Sequence, residues 1–267
     1  MASDDYLGTA TALLAPTDPS PFSIVNPGGS SPFLFIGDHA GNNIPASLGS
    51  LGLGRDELCR HIGWDIGIAA LGDLLAVAMD AVFIRQAFSR LVVDCNRHPE
   101  AFDAIPPISD NTPVPGNQAL TVLDKAARFC AIQEPYQDVI GAEIDRRRRA
   151  GQATILIALH SFTPALRRGG CSRPWQIGVL HHLGDTSFAL RLLDVLRDAG
   201  DLVVGDNKPY KMDGIDYTVP RHAYATGIRY AELEIRQDLL LETSDQEAWS
   251  RLLAAALPLG AAVRRQE

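Results

Sequence analysis

The chain has 267 residues, of which 46% are hydrophobic and 21% are charged, a composition typical of one globular domain with a well-buried core. Its formal net charge of −8 argues against a nucleic-acid partner, because binding to a phosphate backbone usually requires a basic face. The basic run from Arg146 to Arg149 follows an amphipathic stretch and indicates a solvated helix end. The acidic N-terminus and the lack of a long apolar segment predict a soluble, cytoplasmic protein with no membrane partner.

The hydrophobic pattern predicts alternating strands and helices. Residues 1–31 are rich in Ser, Pro, Gly and Asp and are predicted to form an arm laid over a single domain of residues 32–267. The predicted strands cover residues 33–36, 82–84, 91–93, 154–159, 176–180, 202–204 and 229–235. The predicted helices cover residues 65–79, 119–149 in two pieces broken near Pro135, a segment beginning at Asp185, and 244–256 with Ser244 as cap and Glu247 completing a capping box.

This alternation predicts a single-domain α/β fold, with a mixed, mostly parallel sheet between helices on both faces. A proline-rich loop is predicted at residues 99–118, and loops of that length are often functional. The four cysteines have no Cys-x-x-Cys spacing, which predicts reduced, mostly buried thiols and no disulfide frame at Cys59, Cys95, Cys130 and Cys171.

Polar residues follow two of the apolar strands. Asp38 and His39 come after the strand at 33–36, and His160 and Ser161 come after the strand at 154–159. Because the carboxyl ends of parallel strands meet at one edge of a sheet, we expect both imidazoles on the same rim. Two histidines and a carboxylate make a three-ligand zinc site with a fourth position open to water. A structural role for both histidines is the alternative.

Two further clusters of polar residues are candidates for substrate binding or catalysis. Asp94, Asn96 and Arg97 follow the predicted strand at 91–93, where an arginine and an asparagine can bind a substrate carboxylate. The alternative there is a buried structural ion pair between Asp94 and Arg90.

Residues 231–238 alternate polar and apolar, so Glu232, Glu234 and Arg236 share one face of a strand. A glutamate on that face can act as a general base, and Arg236 can steady it or the substrate. The alternative is an edge strand with a solvated, charged face. The polar segments at 207–210 and 217–222 form either a substrate lid or a plain loop.

Six segments together resemble the N-formylglutamate amidohydrolase family, in its predicted-amidohydrolase branch. They lie in order between residues 33 and 240, at 38–45 (DHAGNNIP), 63–67 (GWDIG), 89–97 (SRLVVDCNR), 160–164 (HSFTP), 173–175 (RPW) and 234–238 (EIRQD). The family is similar to the zinc carboxypeptidase and aspartoacylase group. The resemblance therefore implies a zinc-carboxypeptidase-like (phosphorylase/hydrolase-like) fold with one catalytic zinc.

The resemblance also implies a set of zinc ligands. In the wider group a glutamate ligand stands three residues after the first histidine, and here that position is Asn42, a poor zinc ligand. Asp65 is the best replacement, which makes His39, Asp65 and His160 the expected ligands. Asp38 is expected to orient one of the histidines.

Two further roles follow from the same resemblance. Glu234 matches the general base, and Asn96 with Arg97 matches the pair that holds a substrate carboxylate. The expected mechanism adds, apart from the resemblance, that Arg90 or Arg97 stabilises the developing oxyanion and that Arg90 and Arg236 contact the substrate.

The expected reaction is the metal-dependent hydrolysis of a small N-acyl amino acid, with N-formyl-L-glutamate and water giving formate and L-glutamate. The alternatives are a deacylase for an acetyl or succinyl amino acid, or a metal-free binding protein on the same scaffold, which Asn42 keeps open. The sequence does not determine the native metal or the oligomeric state.

Overall fold

A seven-stranded sheet forms the centre of the molecule in the computed structural model, which describes residues 13–167, 169 and 173–262. The strand order is β1-β3-β2-β6-β9-β7-β8, and β4 and β5 form a separate hairpin. The strands are β1 (Phe22–Val25), β2 (Phe33–Gly37), β3 (Val82–Gln86), β4 (Ile108–Ser109), β5 (Thr112–Pro113), β6 (Ile155–Phe162), β7 (Ile177–Leu180), β8 (Val204–Asp206) and β9 (Arg229–Arg236). The helices are α1 (Arg55–Leu58), α2 (Ile68–Ala78), α3 (Val122–Arg128), α4 (Glu134–Arg149), α5 (Ser187–Asp198) and α6 (Thr243–Ala261).

The middle of the sheet is parallel and its edges are mixed. Strands β3, β2, β6 and β9 run parallel to one another. Strand β1 is antiparallel to β3, β7 is antiparallel to β9, and β8 runs parallel to β7. Strands β2 and β6 are buried at every position, because helices cover both faces of the sheet centre. Such strands are mostly apolar, which explains their hydrophobic sequences.

Helices cover both faces of the sheet, because successive strand residues point to opposite sides. Phe33 and Phe35 pack with α2, α5 and α6 on one face, whereas Leu34 and Ile36 pack with α4 on the other. In α5, which falls in the predicted segment that begins at Asp185, the side chains of Phe188, Leu192, Leu193 and Leu196 are buried. The predicted single-domain α/β fold with a mixed, mostly parallel sheet is confirmed.

The strand predicted at 91–93 is wrong, because these residues lie in a buried loop that follows β3. Side chains satisfy the loop carbonyls that a strand would pair with a neighbour. Asn117 Nδ2 donates to the Leu91 carbonyl at 2.8 Å, and Arg128 Nη1 donates to the Val92 carbonyl at 3.0 Å. These donors come from distant segments, so the local pattern contains no sign of them.

Helix boundaries also differ from the prediction. A π-helical turn at Phe129–Gln133 joins α3 to α4, and Pro135 lies in the first turn of α4, where its missing N–H leaves no bond unmade. Helix α6 has Glu242 at its N-cap without a side-chain hydrogen bond, so the predicted Ser244 cap and capping box are wrong.

The N-terminal segment and the cysteines differ in part from the prediction. Strand β1 lies within the predicted arm and forms one edge of the sheet, while the domain boundary itself stays a prediction. Cys95 is buried as predicted, but Cys59 and Cys130 are exposed, and Cys171 lies outside the described residues. Among the described helices, none combines the length and the apolar character that crossing a membrane requires.

Candidate active site

A cavity of about 890 Å³ lies where the parallel strands β2, β6 and β9 end. Its wall includes His39, which follows β2, His160 near the end of β6, and Glu232 and Glu234 of β9. Ligands of open α/β sheets bind beyond the carboxyl ends of the strands, so the position is the expected one.

His39, Asp65 and His160 converge in this cavity, and all three are buried. One potential ligand atom from each lies within 4.8 Å of the others. Asp65 Oδ2 is 2.9 Å from His160 Nδ1 and 3.4 Å from His39 Nδ1. The Asp65 backbone N–H donates to the His39 carbonyl at 2.9 Å, which fixes the segment before α2 against the end of β2.

Each imidazole meets a second carboxylate through its other nitrogen. His39 Nε2 lies 2.7 Å from Asp94 Oδ1, and His160 Nε2 lies 3.4 Å from Asp38 Oδ2. The Nδ1 atoms of both rings are thereby turned toward Asp65. A metal-binding histidine usually has such a carboxylate on its far nitrogen, which fixes the tautomer and the ring orientation.

The charges and the unmet hydrogen bonds of this cluster fit a divalent metal. Burial by itself lowers the pKa of His39 and His160, but the surrounding carboxylates raise both pKa values. Burial would raise the pKa of Asp65, yet the two imidazoles hold it below its usual range. His39 Nδ1 is buried and has no hydrogen-bond partner among the described residues. Two imidazoles and a carboxylate are a donor set that zinc accepts.

Glu232 and Glu234 are buried in the centre of the sheet, with exposures of 4% and 6%. Strand β9 lies between β6 and β7, which overturns the alternative of a solvated edge strand. Glu234 pairs in register with His160, so the two side chains share one face of the sheet. Burial raises the pKa of each glutamate to about 8. One carboxylate oxygen of each is buried without a partner among the described residues.

Arg90 forms the ion pair with Asp94 that the sequence left open. Its Nε and Nη2 atoms donate to Asp94 Oδ2 at 3.1 and 2.7 Å. Its Nη1 atom lies 3.6 Å from Asp65 Oδ1 and thus faces the histidines. The pair therefore fixes Asp94 beneath His39 and leaves one end of the guanidinium toward the cavity.

Asn96 and Arg97 line the cavity, and both are engaged by the protein itself. Arg97 donates to Asp216 at 2.8 Å and to Asp103 at 3.2 Å. Asn96 Oδ1 accepts the backbone N–H groups of residues 217 and 218 at 3.2 and 3.1 Å. These bonds fasten the neighbouring loops to the cavity wall, and substrate binding by Asn96 and Arg97 stays a prediction.

Two residues considered from the sequence lie away from the cavity lining. Arg236 donates to Asp238 Oδ1 at 2.8 Å and to the Pro174 carbonyl at 3.4 Å. Asn42 donates to the Leu58 carbonyl at 2.8 Å. Neither is among the residues that line the cavity.

A buried chain of hydrogen bonds, which the sequence reasoning missed, runs from the core to Asp38. Gln137 Nε2 donates to Thr218 Oγ1 at 2.8 Å, and that hydroxyl donates to Asp38 Oδ1 at 2.8 Å. Gln137 Oε1 then faces His222 Nε2 at 2.9 Å, so this nitrogen carries the proton. Burial lowers the pKa of His222 to about 4 and keeps the ring neutral. Every donor points toward Asp38, which in turn contacts His160.

The fold and the site define an α/β enzyme with a histidine–carboxylate cluster suited to a metal. The family model of N-formylglutamate amidohydrolase matches residues 31–241. The chain belongs to the N-formylglutamate amidohydrolase family, as its sequence segments indicated, and it is thereby a hydrolase of amide bonds in N-acyl amino acids.

Two solved structures are similar to this chain over most of its length. A gene product of Agrobacterium tumefaciens (Atu2144) superposes with a TM-score of 0.89 at 32% identity, over 93% of this chain and 98% of that one. An N-formylglutamate amidohydrolase of Ralstonia eutropha superposes with a TM-score of 0.68 at 21% identity, over 92% of this chain and 99% of that one. The second likeness shows the fold alone. A comparison with curated proteins finds no match.

Proposed function

We propose that the protein is a zinc-dependent amidohydrolase of small N-acyl amino acids, with N-formyl-L-glutamate as the first substrate to test. The products would be formate and L-glutamate. Family membership supports the reaction class. The convergence of His39, Asp65 and His160 beside the buried Glu234 is the observation that carries the proposal.

The metal would be held by His39, Asp65 and His160. When bound, zinc polarises a carbonyl and lowers the pKa of water toward neutrality. Asp94 and Asp38 hold the two imidazoles from their far sides, so the Nδ1 atoms stay directed at Asp65. The buried, partnerless Nδ1 of His39 supports this role.

Glu234 is the proposed general base and acid. It takes a proton from the attacking water as the new C–O bond forms, and returns it to the amide nitrogen as the C–N bond breaks. A pKa raised by burial to about 8 suits a carboxyl group that must both accept and return a proton near neutral pH. The Nη1 end of Arg90 would stabilise the negative charge that develops on the carbonyl oxygen.

A second candidate is a deacylase for acetyl or succinyl amino acids. The cavity volume of about 890 Å³ leaves room for an acyl group larger than formyl. A metal-free binding protein is less favoured, because two imidazoles and a carboxylate gathered in a buried cluster are a donor set suited to zinc.

The test is the metal content of the purified protein together with formate release from N-formyl-L-glutamate before and after chelation. N-acetyl- and N-succinyl-L-glutamate are assayed in parallel for release of L-glutamate. Stoichiometric zinc with chelator-sensitive formate release is the expected result. Zinc with release only from the larger substrates would transfer the proposal to the second candidate. Absence of both metal and hydrolysis, even after zinc is added, would overturn it.

A further inference from the structure

The arginines that line the cavity are already paired with carboxylates of the protein. Arg90 is bonded to Asp94, and Arg97 is bonded to both Asp103 and Asp216. A guanidinium with such partners can bind a ligand carboxylate only if one of its existing bonds breaks, or if the ligand carboxylate lies close to the protein carboxylates and is repelled by them. Neither arginine is therefore well prepared to bind an anionic substrate.

Arg173 has a different environment. Its Nη1 atom donates to two neutral oxygens, the Thr163 carbonyl at 3.0 Å and the Tyr210 hydroxyl at 3.1 Å. Its guanidinium carbon lies 5.0 Å from the centre of the Tyr210 ring. Across the described ranges 13–167, 169 and 173–262, it forms no ion pair with a carboxylate, and its Nε and Nη2 atoms donate to no described acceptor.

The charge of Arg173 acts on the cavity. Arg173 is not itself one of the lining residues, but both of its partners, Thr163 and Tyr210, line the cavity wall. Burial raises the pKa of Glu234 to about 8, and the positive charges of Arg90 and Arg173 oppose that rise. Burial lowers the pKa of His61 to about 4, and the same two arginines, with Arg60, contribute in that direction. Arg173 is thus a cation near the proposed base whose charge no described carboxylate offsets.

We propose that Arg173 binds a carboxylate of the N-acyl amino acid, with Tyr210 and the Thr163 carbonyl holding its guanidinium in place. The inference rests on the proposed function for the identity of the ligand. The planar guanidinium matches a carboxylate with two parallel hydrogen bonds, and Nε and Nη2 are the pair that remains to make them. Arg97 and Asn96 then serve to fasten the loops that form the wall.

Lys211 is the other cation to consider, since it lines the cavity and has no ion pair within the described part of the chain. Its side chain is exposed, and an exposed ammonium on a flexible stem contributes little to binding. A change at Lys211 is therefore expected to weaken binding by about fivefold or less.

The experiment measures binding by calorimetry in protein that carries its metal and the Glu234→Gln change, which prevents turnover. The ligands are N-formyl-L-glutamate and its two monoamides, N-formyl-L-glutamine and N-formyl-L-isoglutamine. Arg173→Met should weaken the dicarboxylate and one monoamide by about ten- to a hundredfold. The other monoamide, which lacks the carboxylate that Arg173 receives, should bind both proteins alike. Arg173→Lys should recover part of the loss.

Arg221 provides the matched control, because its guanidinium stacks on the Tyr217 ring at 5.4 Å and this partner does not line the cavity, whereas both partners of Arg173 do. Arg221→Met should leave all three affinities unchanged. An equal loss for all three ligands in Arg173→Met would overturn the proposal. So would a carboxylate-specific loss confined to Arg97→Met, or a lack of binding of all three ligands when Arg173 is intact.

Formate release by the unmodified protein separates the two hypotheses. If the unmodified protein hydrolyses the substrate but Arg173→Met changes the affinities of all three ligands equally or not at all, the role of Arg173 is removed and the proposed function is kept. If Arg173→Met causes a carboxylate-specific loss of affinity but no N-acyl amino acid is hydrolysed, the role of Arg173 is kept and the proposed function is removed.

Discussion

Two charged clusters near the cavity differ in how completely their polar atoms are paired. The first, called here the arginine cluster, consists of Arg60, Arg167, Glu57 and Asp110. Arg60 donates to both Glu57 and Asp110, and Arg167 donates to Glu57 through its side chain and to Asp110 through its backbone. Each charge has a partner, and the cluster ties α1 to the hairpin and to the loop after β6.

The second, called here the histidine cluster, consists of His39, His160, Asp38, Glu232 and Glu234. Each of these residues has one buried polar atom without a hydrogen bond among the described residues, and two of these atoms, His160 Nε2 and Asp38 Oδ2, face each other at 3.4 Å. An unpaired buried polar atom costs about 1–3 kcal/mol. Native proteins keep few such atoms, and those that persist need a reason, such as an ion or a catalytic role. The difference fits an arginine cluster that holds the fold and a histidine cluster that is the proposed ligand-binding site.

The largest effect should come from Glu234→Gln, which keeps the size of the side chain and removes its ability to accept the proton. Turnover should fall by about 10²- to 10⁴-fold. Formate release measures the loss, and metal analysis of the same preparation should find unchanged zinc. Full activity in this variant would remove Glu234 from the role of base.

Zinc should raise the melting temperature of the chelated protein, because only the folded chain assembles the three ligands. At about one hundred times its Kd, the ion should contribute about 2.7 kcal/mol, or roughly 5–10 °C for a chain of this size. The shift should vanish in Asp65→Asn, since an amide is a poor zinc ligand. An equal shift in both proteins would place the ion elsewhere.

Arg60→Met should destabilise the fold and leave zinc binding intact. The Asp110 side chain, only 5% exposed, would lose its guanidinium partner, which should cost about 1–3 kcal/mol in urea unfolding. Arg148→Met is the control, because its pair with Asp145 is exposed at 78% and 52% and should matter by less than about 0.5 kcal/mol. Loss of the zinc-induced shift in Arg60→Met would contradict the division between the clusters.

The smallest expected effect is a change with pH in the free energy of unfolding of the metal-free protein. Burial raises the pKa of Glu232 from 4.5 to about 8, so the folded protein holds a proton that the unfolded chain has released. The free energy of unfolding of the metal-free protein should therefore fall as pH rises from 6.5 to 8. The raised pKa values of His39 and His160 act in the same direction, whereas His61 and His222 oppose it only below about pH 6.5.

Glu232→Gln should remove part of this pH dependence, on the order of 1 kcal/mol between pH 6.5 and 8. Melting curves of the metal-free proteins at several pH values measure it. A variant with the same slope as the unmodified protein would show that Glu232 ionises normally.

The sequence predicted the elements that signal themselves locally. The apolar runs of β2 and β6 identified buried central strands, and the alternation in β9 put Glu232 and Glu234 on one face. From these the meeting of His39 and His160 followed, because parallel strands end at the same edge. His160 proved to lie within β6 and not after it, but this shift did not move it from the cavity.

What the sequence left open depends on partners distant in the chain. Residues 91–93 read as a strand because they are apolar, and only the bonds of the loop at 91–97 to Asn117, Arg128 and Gln133 explain why they do not form one. The engagement of Arg97 by Asp216 is equally invisible locally, since the two lie 119 residues apart. Residue type predicted which side chains could bind a substrate carboxylate, but not which of them were already paired with carboxylates of the protein itself.

The order of the strands has a consequence for how the protein is made. Strands β2, β6 and β9 are neighbours in the sheet, but β9 is synthesised last and inserts between β6 and β7. A nascent chain that has passed residue 162 already contains His39, Asp65 and His160, whereas Glu234 is still to come. Thr218, which donates to Asp38 from 180 residues away, also arrives late. The chain order thus supplies the proposed metal ligands first and the proposed base last, so the proposed hydrolysis must await the closing of the sheet.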